Sequence, residues 1–232
     1  MMGKLTLVED TMISVPDWHR IRTQILRVLS GKAQLYARIR FRVIHGRFLD
    51  DIIQYLPESG TVIDLGCGFG LFTLAFALAR PRCNFIGLDM DKKRIAVAKS
   101  IAESLQLTNI SFLARDVCEV GDELGTNIDA LLMLDIIHHI PVAPGDRVLA
   151  NALALVKPGG YFIVKDVGTH PHWQAYFTYL LDMLTSDGIV YYRSIDNWRE
   201  TLTRIGIKKL HIHYLRDIIP FPHILCVGNK EY

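Results

Sequence analysis

The chemistry-bearing residues of this chain fall at the ends of short apolar runs. Val62-Ile63-Asp64-Leu65 leads into Gly66-Cys67-Gly68-Phe69-Gly70, and an apolar helical pattern begins at Leu71. Glycines at alternate positions let the backbone turn sharply and lie close against a ligand. The helix start beyond them presents N–H groups that have no intrahelical partner. Three glycines spaced by two also build ordinary tight turns, so the loop alone decides nothing. Two details narrow it. Gly66-x-Gly68-x-Gly70 departs from the G-x-G-x-x-G spacing of dinucleotide sites. Asp64, two residues before the first glycine, sets a carboxylate where it would face a cation rather than a pyrophosphate. Loop and acid together suit a cationic nucleoside that carries no phosphate.

Further acids close later runs. Asp89 ends Phe85-Ile86-Gly87-Leu88-Asp89, 21 residues after Gly68, where a carboxylate can accept both hydroxyls of a ribose. Asp116 follows the third run and is placed to take an adenine amino group. One such acid is commonly a turn or N-cap aspartate. Three around one glycine loop read as a site. The fourth run ends in Leu134-Asp135-Ile136-Ile137-His138-His139-Ile140-Pro141. Imidazole titrates near neutral pH, so His138 and His139 are both candidates for taking a proton from a substrate. The residues do not choose between them. Asp135 either orients a substrate or caps the turn, and the fifth run delivers Lys165-Asp166 to the same edge.

The elements that must position these groups alternate. Apolar runs at 61–65, 84–88, 110–113, 128–134 and 161–165 read as strands, with helical patterns at 71–79, 92–105 and 147–156 between them. That alternation demands parallel strands joined by right-handed crossovers, hence a doubly wound α/β sheet. A helix near 195–205 and strands near 208–214 and 223–227 follow. The link between the last two strands is too short for a helix, so one of them runs antiparallel.

Composition agrees. The 232 residues are 50% hydrophobic and 22% charged, enough apolar matter for one sizeable core and too much for disorder. No apolar run approaches the ~20 residues of a membrane helix, and the first fifteen residues lack the continuous apolar stretch of a secretory signal. Cys67, Cys83, Cys118 and Cys226 are widely spaced, against a zinc site or a disulfide framework, so a cytoplasmic protein is expected. Net charge is only +2, yet eight basic residues and no acid lie between Trp18 and Leu49. The block reads either as a solvated helical face or as a surface for anions, including peripheral contact with a membrane. Leu35, Ile39, Ile44, Phe48, Ile52 and Leu56 keep roughly helical spacing and imply docking onto the core.

Residues from about Gly60 onward resemble a class I S-adenosylmethionine-dependent methyltransferase of the small-molecule type, similar to those of ubiquinone and menaquinone biosynthesis. The resemblance rests on Asp64–Gly70, Gly87-Leu88-Asp89-Met90-Asp91, Arg115-Asp116-Val117 and Leu155-Val156-Lys157-Pro158-Gly159-Gly160-Tyr161. It implies a Rossmann-like, seven-stranded, mostly parallel sheet with an antiparallel C-terminal strand. It also implies S-adenosyl-L-methionine as cofactor. Gly66, Cys67 and Gly68 would then cradle it, with Asp64 near its amino-acid moiety and Asp89 on the ribose. Met90 would lie against the adenine, Asp116 and Val117 at the adenine rim, and the Leu134 backbone beside the methionine portion.

The expected division is a helical extension over 1–57 and a methyltransferase domain over 58–232, with 167–198 as a substrate-lid insertion. That insertion is rich in aromatics: Trp173, Tyr176, Phe177, Tyr179, Tyr191 and Tyr192, with Trp198 at its end. The helical spacing of Trp173, Phe177, Leu180, Leu181 and Leu184 suggests packing, and extension and insertion together would roof an apolar pocket. The expected substrate is thus a small, apolar or aromatic, even lipid-like molecule, with His138 and His139 as catalytic candidates and Asp135 and Asp166 toward the acceptor.

Asp135 with Asp166 also resembles the metal-dependent catechol-type enzymes. Val167 stands where those continue with a polar ligand, and His170-x-His172 brings no further ligand, so no metal is expected. Nucleic acid is disfavoured as a substrate, because the Asn/Asp-Pro-Pro-aromatic motif of base methylation is missing. An RNA ribose methyltransferase, with Asp135, Lys165, Glu200 and Arg47 as its catalytic set, is the alternative, and so is a non-catalytic cofactor-binding relative. A nicotinamide oxidoreductase is argued against by the glycine spacing.

Overall fold

The computed structural model describes residues 16–43, 46–121, 124–185, 189–215 and 221–231. The N-terminal fifteen residues, Ile44, and the side chains of Arg47, Leu181 and Leu184 lie outside the described residues, and the readings made on them go no further.

Seven strands form one sheet: β1 (Gly60–Leu65), β2 (Cys83–Asp89), β3 (Ile110–Ala114), β4 (Ile128–Leu134), β5 (Val156–Val167), β6 (Ile207–Tyr214) and β7 (His223–Lys230). Their order is β3-β2-β1-β4-β5-β7-β6. The first five pair in parallel, and β7 runs antiparallel to both β5 and β6. The short link before β7 explains this, since a parallel return needs a crossover of a dozen residues or so. Ile63, Leu65, Leu131, Leu132 and Met133 are fully buried, because helices cover both faces of the sheet.

Those helices are α1 (Trp18–Val28), α2 (Gly31–Val43), α3 (Gly46–Ile53), α4 (Leu71–Ala79), α5 (Lys92–Ser104), α6 (Val142–Leu155), α7 (His172–Thr185) and α8 (Ile195–Arg204). Alternate strand residues feed two cores. Val62, Leu132, Leu74, Phe76 and Ile95 share one with Trp18, Ile21 and Ile25 of α1. Ile63, Leu131, Met133, Leu149, Trp198 and Leu202 build the other. The N-terminal extension is therefore part of the first core. Trp18 meets Phe76 edge-on at 6.1 Å and donates its indole N–H to Asp50 Oδ1 at 2.6 Å. Among the described residues, no helix is long and apolar enough to cross a membrane.

Three expectations on elements are corrected. α6 begins at Val142 rather than near 147, because Pro144 falls in the first turn, where an N–H is not needed. β5 begins at Val156 rather than 161, since a register shift against β4 accommodates Lys157–Gly160 as a bulge. The stripe through Leu35 and Ile39 does not dock: they are 61% and 55% exposed, and α2 buries Ala37 and Phe41 instead. Further along the same stripe Phe48, Ile52 and Leu56 are buried.

Candidate active site

The chain leaves β1 toward β2 and β3 on one side and takes up β4 and β5 on the other, so β1/β4 is the switch point of the sheet. A cavity of about 430 Å³ opens at the strand carboxyl ends there. That volume lies within the usual range of small-molecule sites.

One end is built by the glycine loop. The Gly66 and Cys67 amides donate to the Leu88 carbonyl at 2.7 and 2.8 Å, which ties the loop to β2. Gly66 has φ +78°, and a Cβ there would stand 2.1 Å from Ile136 Cδ1. Gly68 has φ +57° with nothing within 4 Å of where a Cβ would be, so its backbone is bare toward the cavity. The Gly68 amide donates to Asp89 Oδ2 at 2.9 Å, and the Asp91 amide to Asp89 Oδ1 at 2.9 Å. The Asp89 carboxylate is thereby aimed, and each oxygen keeps a second lone pair for a hydroxyl.

Asp64 is buried at the floor. Its Oδ2 accepts from the Thr73 hydroxyl at 2.5 Å, and its Oδ1 has no hydrogen-bond partner. Burial pushes this carboxyl up to about 7; the Thr73 bond opposes the rise and the Asp89 charge adds to it. Cys67 lines the same wall with its thiol pushed well up by burial, which makes it a poor nucleophile. Leu134, the last residue of β4, closes this end.

Met90, Asp116 and Val117 do not line the cavity. Met90 is 71% exposed, and Val117 packs into the second core. Asp116 accepts from the Cys118 amide at 2.8 Å and caps the short turn Val117–Glu119, which is the plain N-cap role.

At the other end Asp135 stands in the left-handed region, at φ +61°. Its carboxylate meets the Lys165 ammonium and the Arg40 guanidinium, with His223 Nε2 at 4.0 Å. Burial alone would raise its pKa, but Lys165 and Arg40 outweigh that and hold the carboxyl well below the usual carboxylate range. His138 is buried, with Nδ1 on the Asp166 carboxylate and its backbone N–H donating to Asp166 Oδ2 at 3.1 Å. The exposed His139 packs its ring 4.1 Å from that of His138, and both line the cavity. Asp166 does not. It lies behind His138 and also accepts from the Val167 amide at 2.7 Å.

The His170 and His172 rings lie tilted against each other, with centroids 4.0 Å apart, and neither lines the cavity. Among the described residues no group of three or more His, Cys, Asp and Glu is arranged to hold a metal. Glu200 is exposed on α8 and does not join Asp135 and Lys165. The residues that sequence reasoning missed come from distant elements: Tyr36 and Arg40 on α2, Thr178 on α7, and Phe221 and His223 at the start of β7. The Tyr36 ring lies tilted against that of Phe69 in the glycine loop, with centroids 4.9 Å apart. Only the antiparallel sense of β7 signals His223, since it brings the first residue of that strand beside Val167.

Known proteins agree with this geometry. Residues 57–206 match the family model described as a methyltransferase domain. The chain is 30% identical over 183 residues to a ubiquinone biosynthesis O-methyltransferase of Coxiella burnetii, covering 71% of this chain and 75% of that one. It is 34% identical over 125 residues to the enzyme of the same name from Alkalilimnicola ehrlichii, covering 53% and 49%. In structure it is similar to an O-methyltransferase family protein from Burkholderia thailandensis, with a TM-score of 0.66 and 18% identity over 80% of this chain, which spans 56% of that longer one. A SAM-dependent methyltransferase from Methanosarcina mazei has a TM-score of 0.60 at 17% identity, covering 82% of this chain and all of that one. At these identities the structural likeness speaks for the fold alone.

Proposed function

The chain belongs to the class I S-adenosylmethionine-dependent methyltransferases, and from that premise we propose that it methylates a hydroxyl oxygen of a small apolar or aromatic acceptor. The observation that carries this is the buried His138–Asp166 pair, set on the rim of a cavity whose other end holds a carboxylate with an unfilled acceptor. The names of the relatives support oxygen as the site of methylation. Tyr36, Phe69, Phe72, Val167 and Phe221 in the lining support an apolar or aromatic acceptor.

The residues present fit the cofactor. Asp64 would take its ammonium on the unfilled oxygen, the backbone of Gly66, Cys67 and Gly68 would cradle it, Asp89 would accept the ribose hydroxyls, and Leu134 would border the methionine portion. When bound, S-adenosylmethionine supplies a methyl group on a sulfonium, open to in-line attack. His138 has the geometry to take the acceptor's proton. The Nδ1 contact with Asp166 favours the tautomer that offers Nε2 as base, and the carboxylate stabilises the imidazolium that forms. Within the proposed extension and insertion, α2 borders the acceptor end through Tyr36 and Arg40 and α7 through Thr178.

Calorimetry with S-adenosylhomocysteine, followed by transfer of labelled methyl to catechol-type acceptors, tests the reading. Saturable uptake and label on oxygen are expected. His138→Gln should lower turnover by roughly 10²–10⁴-fold, the usual worth of a general base, with cofactor affinity unchanged. Undiminished turnover would move the role away from His138, and no uptake at all would end the proposal.

A further inference from the structure

We infer that Arg193 is a positioning residue for methyl transfer: from a buried seat between α6 and α8 it clamps the segment 190–193 against His138, so that the proposed base keeps its bearing on Asp166. This rests on the reading of His138 given above and adds to it a residue that does not line the cavity.

Arg193 is 3% exposed, and its guanidinium is divided between two helices. On α6 it donates to Asp146 Oδ1 at 2.6 Å and to the Val142 carbonyl at 3.0 Å; on α8 it reaches the Thr201 hydroxyl at 3.4 Å. The Trp198 ring of α8 lies 5.1 Å from its guanidinium carbon. Helix α6 passes so close that a Cβ at Gly145 would stand 3.0 Å from one guanidinium nitrogen. The Arg193 Nε has no hydrogen-bond partner among the described residues. A buried ion pair adds little net stability, because desolvating both charges offsets most of their attraction. What this seat provides is a fixed place for the backbone that carries it.

That backbone runs across the proposed base. The Tyr191 amide donates to the His138 carbonyl at 2.7 Å, and Arg193 pairs in parallel with Gly168, two residues beyond Asp166. The segment therefore touches both stretches of chain that carry the His138–Asp166 pair. Between those two points the Tyr192 ring meets the His138 ring edge-on, with centroids 5.9 Å apart. Tyr192 also meets Tyr179 of α7 at 90° with centroids 6.5 Å apart, so its ring is supported from the insertion as well. His138 thus has Asp166 at Nδ1 and the rings of His139 and Tyr192 beside it. A base must hold its nitrogen within hydrogen-bond reach of the proton it takes. A misplacement of about 1 Å, even from a distant substitution, can cost about 10²-fold in rate.

The test is proton NMR on the protein saturated with S-adenosylhomocysteine, beside turnover with the catechol-type acceptors. The Nδ1–H of His138 should give a downfield resonance that exchanges slowly with water, identified by its loss in His138→Gln. Arg193→Met should speed that exchange by roughly tenfold or more and lower kcat by about 10–10²-fold. KM for the acceptor and cofactor affinity by calorimetry should stay as in the wild type. Arg193→Lys should restore part of both losses. Arg204→Met removes the other cation from the same Asp146 carboxylate, leaves the clamp in place, and should change neither. Arg193→Met should fold, because Asp146 keeps Arg204 and is partly open to solvent. Tyr192→Leu removes the far contact of the clamp without touching the buried cation, and the resonance should again exchange faster. It therefore judges the inference even where Arg193→Met unfolds. A resonance as slow in both variants as in the wild type, or an Arg204→Met as impaired as Arg193→Met, would overturn the role of Arg193. Undiminished turnover in His138→Gln, with the resonance still dependent on Arg193, would instead overturn the base itself, which keeps the two failures apart.

Discussion

Asp64 and Asp135 stand at the ends of neighbouring strands of one sheet, the first buried and the second half-buried, yet the two ends of the cavity use them in opposite ways. Asp64 has a single hydroxyl donor, an unfilled oxygen and a carboxyl pushed up to about 7. Asp135 is gripped by Lys165 and Arg40 and held well below the ordinary carboxylate range. Burial costs a carboxylate its hydration in both places. At the first end that cost is left for a cationic ligand to relieve; at the second it is relieved by the protein's own cations. The lesson is that an acid at a strand end is a ligand site or an anchor depending on what the rest of the chain brings to it.

Asp135→Asn gives the sharpest test of the anchor half. It leaves the Lys165 ammonium and the Arg40 guanidinium around a neutral amide, and removing one partner of a buried pair costs on the order of 3–5 kcal/mol. The lower part of that range is expected, because Arg40 keeps some contact with water. Thermal unfolding should therefore fall by roughly 10 °C, given about 2–4 °C per kcal/mol for a chain of this size. Lys157→Gln, at the more exposed pair with Asp129, should cost less than about 1 kcal/mol. Equal effects of the two substitutions would dissolve the contrast.

A smaller effect tests the ligand half. With its pKa raised to about 7, Asp64 is partly protonated at neutral pH in the protein without ligand. An ammonium bound at Oδ1 favours the ionised form, so binding must remove a proton below that pKa. Affinity for S-adenosylhomocysteine should weaken as pH falls from 7 to 5, by up to about tenfold per unit. Asp64→Asn should flatten the slope while lowering affinity near pH 7. A wild-type affinity that stays level from pH 7 to 5, or the same slope in the variant, would detach Asp64 from the cation.

The two ends also differ in how far the sequence reveals them. Asp64, Gly66, Cys67, Gly68, Asp89 and Leu134 are set by three strands and a loop within one continuous stretch, so local spacing is enough to group them. Asp116, in the same stretch, caps the turn that follows it, and spacing does not separate the two uses because an N-cap and a ligand acid share one signature, a carboxylate just past a strand. The acceptor end is assembled from α2, β4, β5, α7 and β7, and no spacing relates Arg40 to Asp135 across 95 positions. Arg40 stands among eight basic residues, of which Arg20, Arg27, Lys32, Arg38 and Arg42 are exposed. Composition marks the block, and only packing shows that Arg40 reaches the cavity while Arg22 turns back onto the Trp18 and Phe41 carbonyls. His138 and His139 were indistinguishable as neighbours. The structure separates them by burial and by the carboxylate behind one of them.

The weakest expected effect concerns the outside of the acceptor end. On α2, the outward Leu35 and Ile39 stand beside Arg38 and Arg42, while α7 exposes Trp173, Tyr176 and Leu180. Both helices also line the cavity, through Tyr36, Arg40 and Thr178. A basic rim around exposed apolar side chains suits the surface of an anionic bilayer, where each Lys or Arg contributes about 1 kcal/mol. Flotation with phosphatidylglycerol vesicles should therefore recover the protein, neutral vesicles should not, and added salt should release it. Leu35→Asp with Ile39→Asp should halve recovery or more without touching cofactor affinity. Equal retention by both vesicle types would mean that the outer face of α2 carries no charge-selective contact, and that the difference between the two ends stops at the cavity wall.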